Sequence, residues 1–210
     1  MKIAQTAKLV IQGVYFLSPY AWLDRYLKKR EAQYAVGSEE QKALRNRRLV
    51  LSERYIGYWF FTAVLLYLLS TLLPAWLAIL FIIRAIGILN KEMGVVLFGI
   101  CKITEGTAVS ATGRVIVLAL VNYLTALFLF AATYSVVGGL DDVPAFALDS
   151  ERLTGLLHAA QIHFSLASSY TPATALVAIL SIFHSAYCFL FGTLVISLFV
   201  SLLSVKPLQS

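Results

Sequence analysis

Charge is what this sequence lacks most. Asp, Glu, Lys and Arg make up 13% of its 210 residues, and hydrophobic types make up 60%. A soluble domain carries about 25% charged and about 45–50% apolar residues. The mean hydropathy of +0.80 is correspondingly high. A water-soluble globule is thereby excluded, because the surplus apolar surface needs lipid to cover it. Cysteine is scarcer still. Cys101 and Cys188 both lie in apolar runs and form no CxxC pair, so there is no disulfide framework and no metal signature. Both read as buried thiols. The chain also lacks HExxH, GxSxG, a phosphate-cradling glycine loop and a dinucleotide fingerprint, each of which carries a recognisable chemistry. It is expected not to be an enzyme and to need neither cofactor nor metal.

The charge that is present is unevenly placed. Eleven of the 17 Lys and Arg residues fall between Lys2 and Arg54, directly before an apolar run. Positive charge flanking a membrane segment marks the cytoplasmic side and is drawn to anionic lipid. The cluster therefore points to topology and lipid rather than to nucleic acid. The stretch 138–172 is the opposite: Asp141, Asp142, Asp149 and Glu151 stand there with Arg152 as the sole basic residue. This contrast predicts an external loop at 138–172 and both termini in the cytoplasm.

Lys2 and Lys8 precede an apolar stretch, but no small-x-small cleavage site follows Leu17. Residues 3–17 read as an apolar helix in or on the membrane rather than as a signal peptide. Ser18-Pro19 supplies a helix start. Tyr20, Leu23, Leu27 and Tyr34 then recur near helical spacing, opposite Arg25, Lys28, Lys29 and Glu31, which describes an amphipathic surface helix stopped at Gly37. Ser38-Glu39-Glu40-Gln41 has capping-box spacing. It opens a helix carrying Lys42, Arg45, Arg47, Arg48 and Arg54 into the membrane.

Ile56 to Leu89 holds 34 residues with Arg84 as the only charge. One helix of that length would reach about 50 Å, against a hydrocarbon core of about 30 Å. Two spans, 56–72 and 75–90, are therefore expected to turn around Leu73-Pro74. Tyr55, Tyr58 and Trp59 would anchor the inner interface and Trp76 the outer one. Arg84 is expected to snorkel to the cytoplasmic headgroups. The apolar run Gly94 to Ile103 is too short to span and predicts an interfacial helix. Val115 to Val137 is a third span, on which Asn122, Thr125 and Thr133 share a side. Asn122 is the candidate for an interhelical hydrogen bond.

Within the external loop, Asp149 or Ser150 can cap a helix that runs to about Ser168, with Leu153, Leu156, Leu157, Ala160 and Phe164 on one face. His158 and His163 on it are five residues apart, not the three or four that pairs metal ligands on a helix. A final helix, Ala173 to Val205, carries His184 beside Ser181 and Ser185. An ionisable residue within a span is a functional candidate; a hydrogen bond to a neighbouring carbonyl is the equal alternative.

The expected fold is all-α: a polytopic helical membrane protein with about four transmembrane helices, cytoplasmic N-terminal helices and a helix-containing external loop. Its regions are basic amphipathic helices at 1–54, a transmembrane hairpin at 55–90, an interfacial linker at 91–113, and a transmembrane pair at 114–205 embracing the loop 138–172.

Phe164-Ser165-Leu166-Ala167-Ser168-Ser169-Tyr170-Thr171-Pro172 and Gly192 carry a resemblance. Residues 114–205 resemble the two-helix pore module of tetrameric potassium-channel-like proteins. There a pore helix with a Phe-Ser and Ser/Thr-rich end leads to a filter, a proline, and an inner helix with a hinge glycine. The resemblance covers under half the chain and implies four subunits around one pore. The filter Thr-Val-Gly-Tyr-Gly is absent. Potassium selectivity rests on that filter's carbonyls and is not implied.

Two functional expectations follow. The first is an oligomeric pore for small ions, a homotetramer by the resemblance, with Ser168, Ser169, Thr171, Ser181, His184, Ser185 and Gly192 as pore or gate candidates. The second is a non-conducting anchor or sensor that binds lipid or a cytoplasmic protein through Lys28, Lys29, Arg45, Arg47 and Arg48. Ser181, Ser185, Cys188 and Gly192 form one stripe of the last helix. Thr193, Ser197, Ser201 and Ser204 form another, nearly opposite at 100° per residue, so one water-lined face requires a twist near Gly192. Compact size and the absence of processing signals suggest a bacterial inner membrane.

Overall fold

A computed structural model describes residues 3–16, 18–98, 108–143, 147, 150–167 and 170–203. Among them the fold is all-α, apart from one pair of two-residue strands.

Helix α1 (Ile3–Phe16) is apolar. Helix α2 (Pro19–Glu31) opens with Ser18 extended and Pro19 in its first turn. Gly37 takes φ +84° between α2 and α3, a conformation that favours glycine. The capping box that opens α3 is shifted by one residue. Ser38 Oγ accepts from the Gln41 amide, while Gln41 Oε1 reaches back to the Gly37 amide. Helix α3 (Glu39–Leu68) is unbroken for 30 residues, about 45 Å. It exceeds the hydrocarbon thickness, so one end with its arginines lies beyond the apolar zone.

A 3-10 turn (Ser70–Leu72) leads through Pro74 to α4 (Leu77–Phe98). The break expected after residue 90 does not occur, and α4 continues through Gly94. Its polar residues there find partners inside the bundle: Asn90 Nδ2 donates to the Ile11 carbonyl at 3.0 Å, and Glu92 accepts from Asn122. The remainder of the expected interfacial helix, 99–103, lies outside the described residues. Helix α5 (Ala108–Val137) starts seven residues before the expected Val115. Strand β1 (Leu140–Asp141), α6 (Glu151–His163), strand β2 (Thr171–Pro172) and α7 (Ala175–Leu203) complete the chain.

Among the described residues, three stretches are long and apolar enough to cross a membrane: α3, residues 116–137 of α5, and residues 175–197 of α7. Helix α4 has 22 residues but carries Arg84, Lys91 and Glu92. The outward faces of the bundle are strongly apolar, with Phe61, Ile182 and Phe189 more than 70% exposed. Such a continuous apolar exterior is the surface of a protein that sits in lipid.

Helix α5 is the hub, packed by α3, α4, α6 and α7. Ala126, Ala131 and Ala132 are fully buried on it, and small residues let membrane helices approach closely. Helix α6 is where fold and expectation differ most. Within the stretch 138–172, expected as a loop with a helix in it, α6 packs along α5. Its N-terminal end is tied to the end of α3, where Arg152 Nη1 donates to the Leu68 carbonyl and Tyr67 Oη to the Arg152 carbonyl. Its C-terminal end meets Tyr123, whose hydroxyl donates to the His163 carbonyl. Tyr123 stands fourteen residues from Val137, about 21 Å along α5. The face that permits this is Gly155, His158, Ala159 and His163, all buried.

The chain then returns to where α6 began. Leu140 pairs with Pro172 and Asp141 with Thr171, antiparallel, and the Ala173 amide donates to the Gly139 carbonyl. The described residues of 138–172 thus form a hairpin whose two ends meet at the same end of the helix bundle.

Candidate functional site

Helix α6 ends five residues before the expected Ser168 because a closed turn stops it. The Leu166 amide donates to the Gln161 carbonyl at 2.8 Å and the Ser165 amide to Ile162 at 3.1 Å, with Ser165 at φ +54°. This is the Schellman pattern, with serine where glycine is usual. It leaves His163 at the tip of the hairpin, between α5 and α7.

All three histidines are at most 2% exposed. His163 Nε2 lies 3.0 Å from the Tyr123 carbonyl. A carbonyl only accepts, so Nε2 carries the ring proton and Nδ1 presents a bare lone pair. That Nδ1 lies 3.0 Å from His184 Nε2 and 3.2 Å from Cys188 Sγ. His184 stacks flat on Phe130, with ring centroids 3.7 Å apart, and its Nδ1 is 3.4 Å from the Tyr134 hydroxyl. His158 Nε2 is 3.0 Å from Ser181 Oγ. The ligand-type atoms of His163, His184 and Cys188 all lie within 4.8 Å of one another, and the three residues are buried.

Beside this cluster a cleft of about 770 Å³ opens from the bundle, walled by Tyr123, His163 and Cys188 and by Ser165, Ser185 and Thr193. Gly192 also lines it. Gly192 and Thr193 belong to the two stripes that sequence spacing set apart, and here they border one space. Ser185 and Thr193 each donate their hydroxyl to the carbonyl four residues back.

The other pore candidates stand elsewhere. Ser181 is behind the cleft with His158, and His184 is enclosed between Phe130, Tyr134 and His163. Thr171 is on β2 at the hairpin's base, donating to Asp142 Oδ2 at 2.6 Å. Ser168 and Ser169 lie outside the described residues. Asn122 Nδ2 donates to Glu92 Oε1 at 2.6 Å between α5 and α4. Arg84 places its guanidinium over Trp59, 4.2 Å from the ring centroid, and 5.4 Å from that of Tyr55.

The basic candidates divide. Arg48 Nε bonds Asp24 Oδ1 at 3.1 Å and Arg48 Nη1 bonds Glu31 Oε2, while Lys28 bonds Asp24 Oδ2 at 2.8 Å. Burial by itself would lower the Arg48 pKa; its bonds to Glu31 and Asp24 outweigh that, and the net shift is upward. Arg48 thus joins α2 to α3, whereas Lys28 bonds Asp24 within α2 and keeps an exposed side chain. Lys29, Arg45 and Arg47 have exposed side chains.

Sequence spacing reads Cys188 as a buried thiol and separates His158 from His163, five apart on one helix. One signal was there to find: His184 and Cys188 are four apart, which puts both on one helix face. The third member, His163, arrives from α6 through the fold alone. No family model, curated protein or solved structure matches this chain.

Proposed function

We propose that residues 108–203 form a pore-type module which assembles, as a tetramer, around a cation pathway. In this reading α3, α4, α5 and α7 cross the membrane as four spans, with both termini on the cytoplasmic side. The observation that carries it is the cleft between the hairpin tip and α7. A single chain leaves Ser185, Gly192 and Thr193 facing this space, and neighbouring copies would close it into a shared path.

Two features favour cations there. Ser185 and Thr193 have already donated their protons to their own helix, so they offer oxygen lone pairs. The C-terminal end of α6, negative by its macrodipole, also borders the cleft through Ile162 and His163. The last carbonyls of α6 are already hydrogen-bonded, so they act as a field and not as ion ligands. The missing filter leaves potassium selectivity out of the proposal.

The test is the mass of the complex in a lipid nanodisc. A tetramer is expected, followed by ion flux in liposomes. A monomer or dimer would remove the pathway. It would leave the second reading, an anchor that docks through α2, where Trp22 and Tyr26 are exposed beside Arg25 and Lys29.

A further inference from the structure

We propose that His163 Nδ1, His184 Nε2 and Cys188 Sγ bind one d10 transition-metal ion, zinc(II) or copper(I), within the bundle. The inference does not rest on the pore reading, since a metal here would brace the hairpin tip against α7 in a conducting or a non-conducting protein.

The donor set is the first ground. Imidazole nitrogen and thiolate sulfur suit zinc and copper(I), and neither suits magnesium or calcium. The second is spacing. A tetrahedral zinc with Zn–N of about 2.05 Å and Zn–S of about 2.3 Å sets two nitrogens about 3.4 Å apart and nitrogen and sulfur about 3.6 Å apart. The separations from His163 Nδ1 are 3.0 Å to His184 and 3.2 Å to Cys188, and all three ligand atoms lie within 4.8 Å of one another. The two pairs that include His163 need to spread by about 0.4 Å, and the His184–Cys188 pair has to settle at about 3.6 Å.

The third ground is the outer hydrogen bond. Metal-bound histidines usually donate their other ring N–H to a carbonyl or carboxylate, which fixes the tautomer. His163 does this toward the Tyr123 carbonyl and so aims its free lone pair at His184 and Cys188. His184 Nδ1 has Tyr134 in the corresponding place. Without a metal, the His163 Nδ1 lone pair accepts from the His184 ring N–H or the Cys188 thiol; a bound ion takes the place of those protons.

Charge narrows the choice of ion. Two neutral imidazoles and one thiolate neutralise copper(I) completely. Zinc(II) keeps one positive charge, which the negative end of α6 at His163 helps to hold. The cleft supplies the route: His163 and Cys188 line it, so an ion entering there meets two ligands first. It also leaves one coordination position facing the open space.

The experiment uses the full chain in mild detergent, stripped with a chelator and titrated with zinc(II), or with copper(I) under reductant, against a chromophoric competitor. One equivalent of one of these ions per chain is expected, and the metal preferred names the ion. Partners outside the ligand shell alone contribute about 10–100-fold to affinity, so Cys188→Ser and His184→Gln should each weaken binding by at least about 100-fold. Cys101→Ser should not change it. A parallel titration of the unaltered chain with cobalt(II) should give a thiolate charge-transfer band, a readout that needs no variant to fold. No competition by either metal, together with no cobalt band, would overturn the site. So would binding that survives both Cys188→Ser and His184→Gln.

Discussion

Gly155 of α6 lies directly on Ser135 of α5. A Cβ added at Gly155 would stand 2.8 Å from the Ala131 carbonyl oxygen and the Ser135 amide, and closer still to Ser135 Oγ. Contacts under 3 Å are not tolerated, and two of these neighbours are backbone that cannot rotate away. Gly155→Ala should therefore push α6 off α5 and destabilise the fold by about 1–3 kcal/mol, the usual range for overpacking. Pairing it with Ser135→Gly should not rescue it, because Ala131 and the Ser135 amide remain. Denaturant unfolding in mild detergent reads this directly, and an unchanged midpoint would mean that the hairpin does not pack there.

Ser165 makes the opposite forecast. Its φ of +54° belongs to the left-handed region, which costs an L-residue about 1–2 kcal/mol and glycine little. Ser165→Gly keeps both amide bonds of the Schellman turn and should stabilise the protein by about 1 kcal/mol. A drop in stability would show that the serine side chain holds the hairpin tip through some further contact.

Asn122 and Glu92 offer a cycle of their own. Their hydrogen bond joins α5 to α4 where both side chains are under 10% exposed. Asn122→Leu strands the Glu92 carboxyl in the bundle, whereas the pair Asn122→Leu and Glu92→Met removes both polar groups. Interhelical hydrogen bonds in membranes average about 0.6 kcal/mol, but an unpartnered buried acceptor costs more. The double variant should be more stable than Asn122→Leu alone; strict additivity would deny the coupling.

At the cytoplasm-facing elbow of the proposed topology, Arg48 satisfies Asp24 and Glu31 from across the α2–α3 turn. Arg48→Gln leaves Asp24, 4% exposed, with Lys28 alone and takes from Glu31 its bond to Arg48. The Arg48 side chain is itself 20% exposed, so solvent screens part of the loss, and about 1–2 kcal/mol is expected. The clearest readout is faster limited proteolysis between residues 32 and 37. Unchanged cleavage would mean that apolar packing holds α2 in place without the ion pair.

The helices themselves were largely legible, because local rules write them. Ser38 and Ser150 accept from the third residue onward, as N-caps do, and the Pro74 region turns two helices as its spacing requires. What could not be read was depth. Helix α6 carries an acidic first turn and lies in a polar stretch, which reads as external, whereas Gly155 against Ser135 and His163 against Tyr123 show that it packs along α5. For the same reason the His163, His184 and Cys188 cluster was half visible. The α7 pair lies four residues apart, but His163 joins from 21 positions away through a contact no spacing rule contains. Asn90 and Glu92 misled in the other direction: they looked like the end of a helix because their partners, the Ile11 carbonyl and Asn122, are distant in sequence.

Gly192 gives the cleanest separation of function from folding. A Cβ there meets nothing within 4 Å, so a larger side chain projects into the cleft without displacing a neighbour. Gly192→Leu should leave the unfolding midpoint within about 0.5 kcal/mol of the parent, the usual range for substitutions that disturb no contact. Ser185→Leu removes one exposed hydroxyl that bonds only its own helix among the described contacts, and should behave likewise. If the cleft forms part of a shared cation path, either change narrows it and removes acceptor oxygens, and flux in liposomes should fall about tenfold or more while the tetramer persists. Ser181→Leu is the contrasting case. Ser181 serves His158 behind the cleft, so its loss should lower stability first and flux only as folded protein disappears. Should Gly192→Leu and Ser185→Leu conduct like the parent in an intact tetramer, the path runs elsewhere, and the open face of α7 is a surface for lipid.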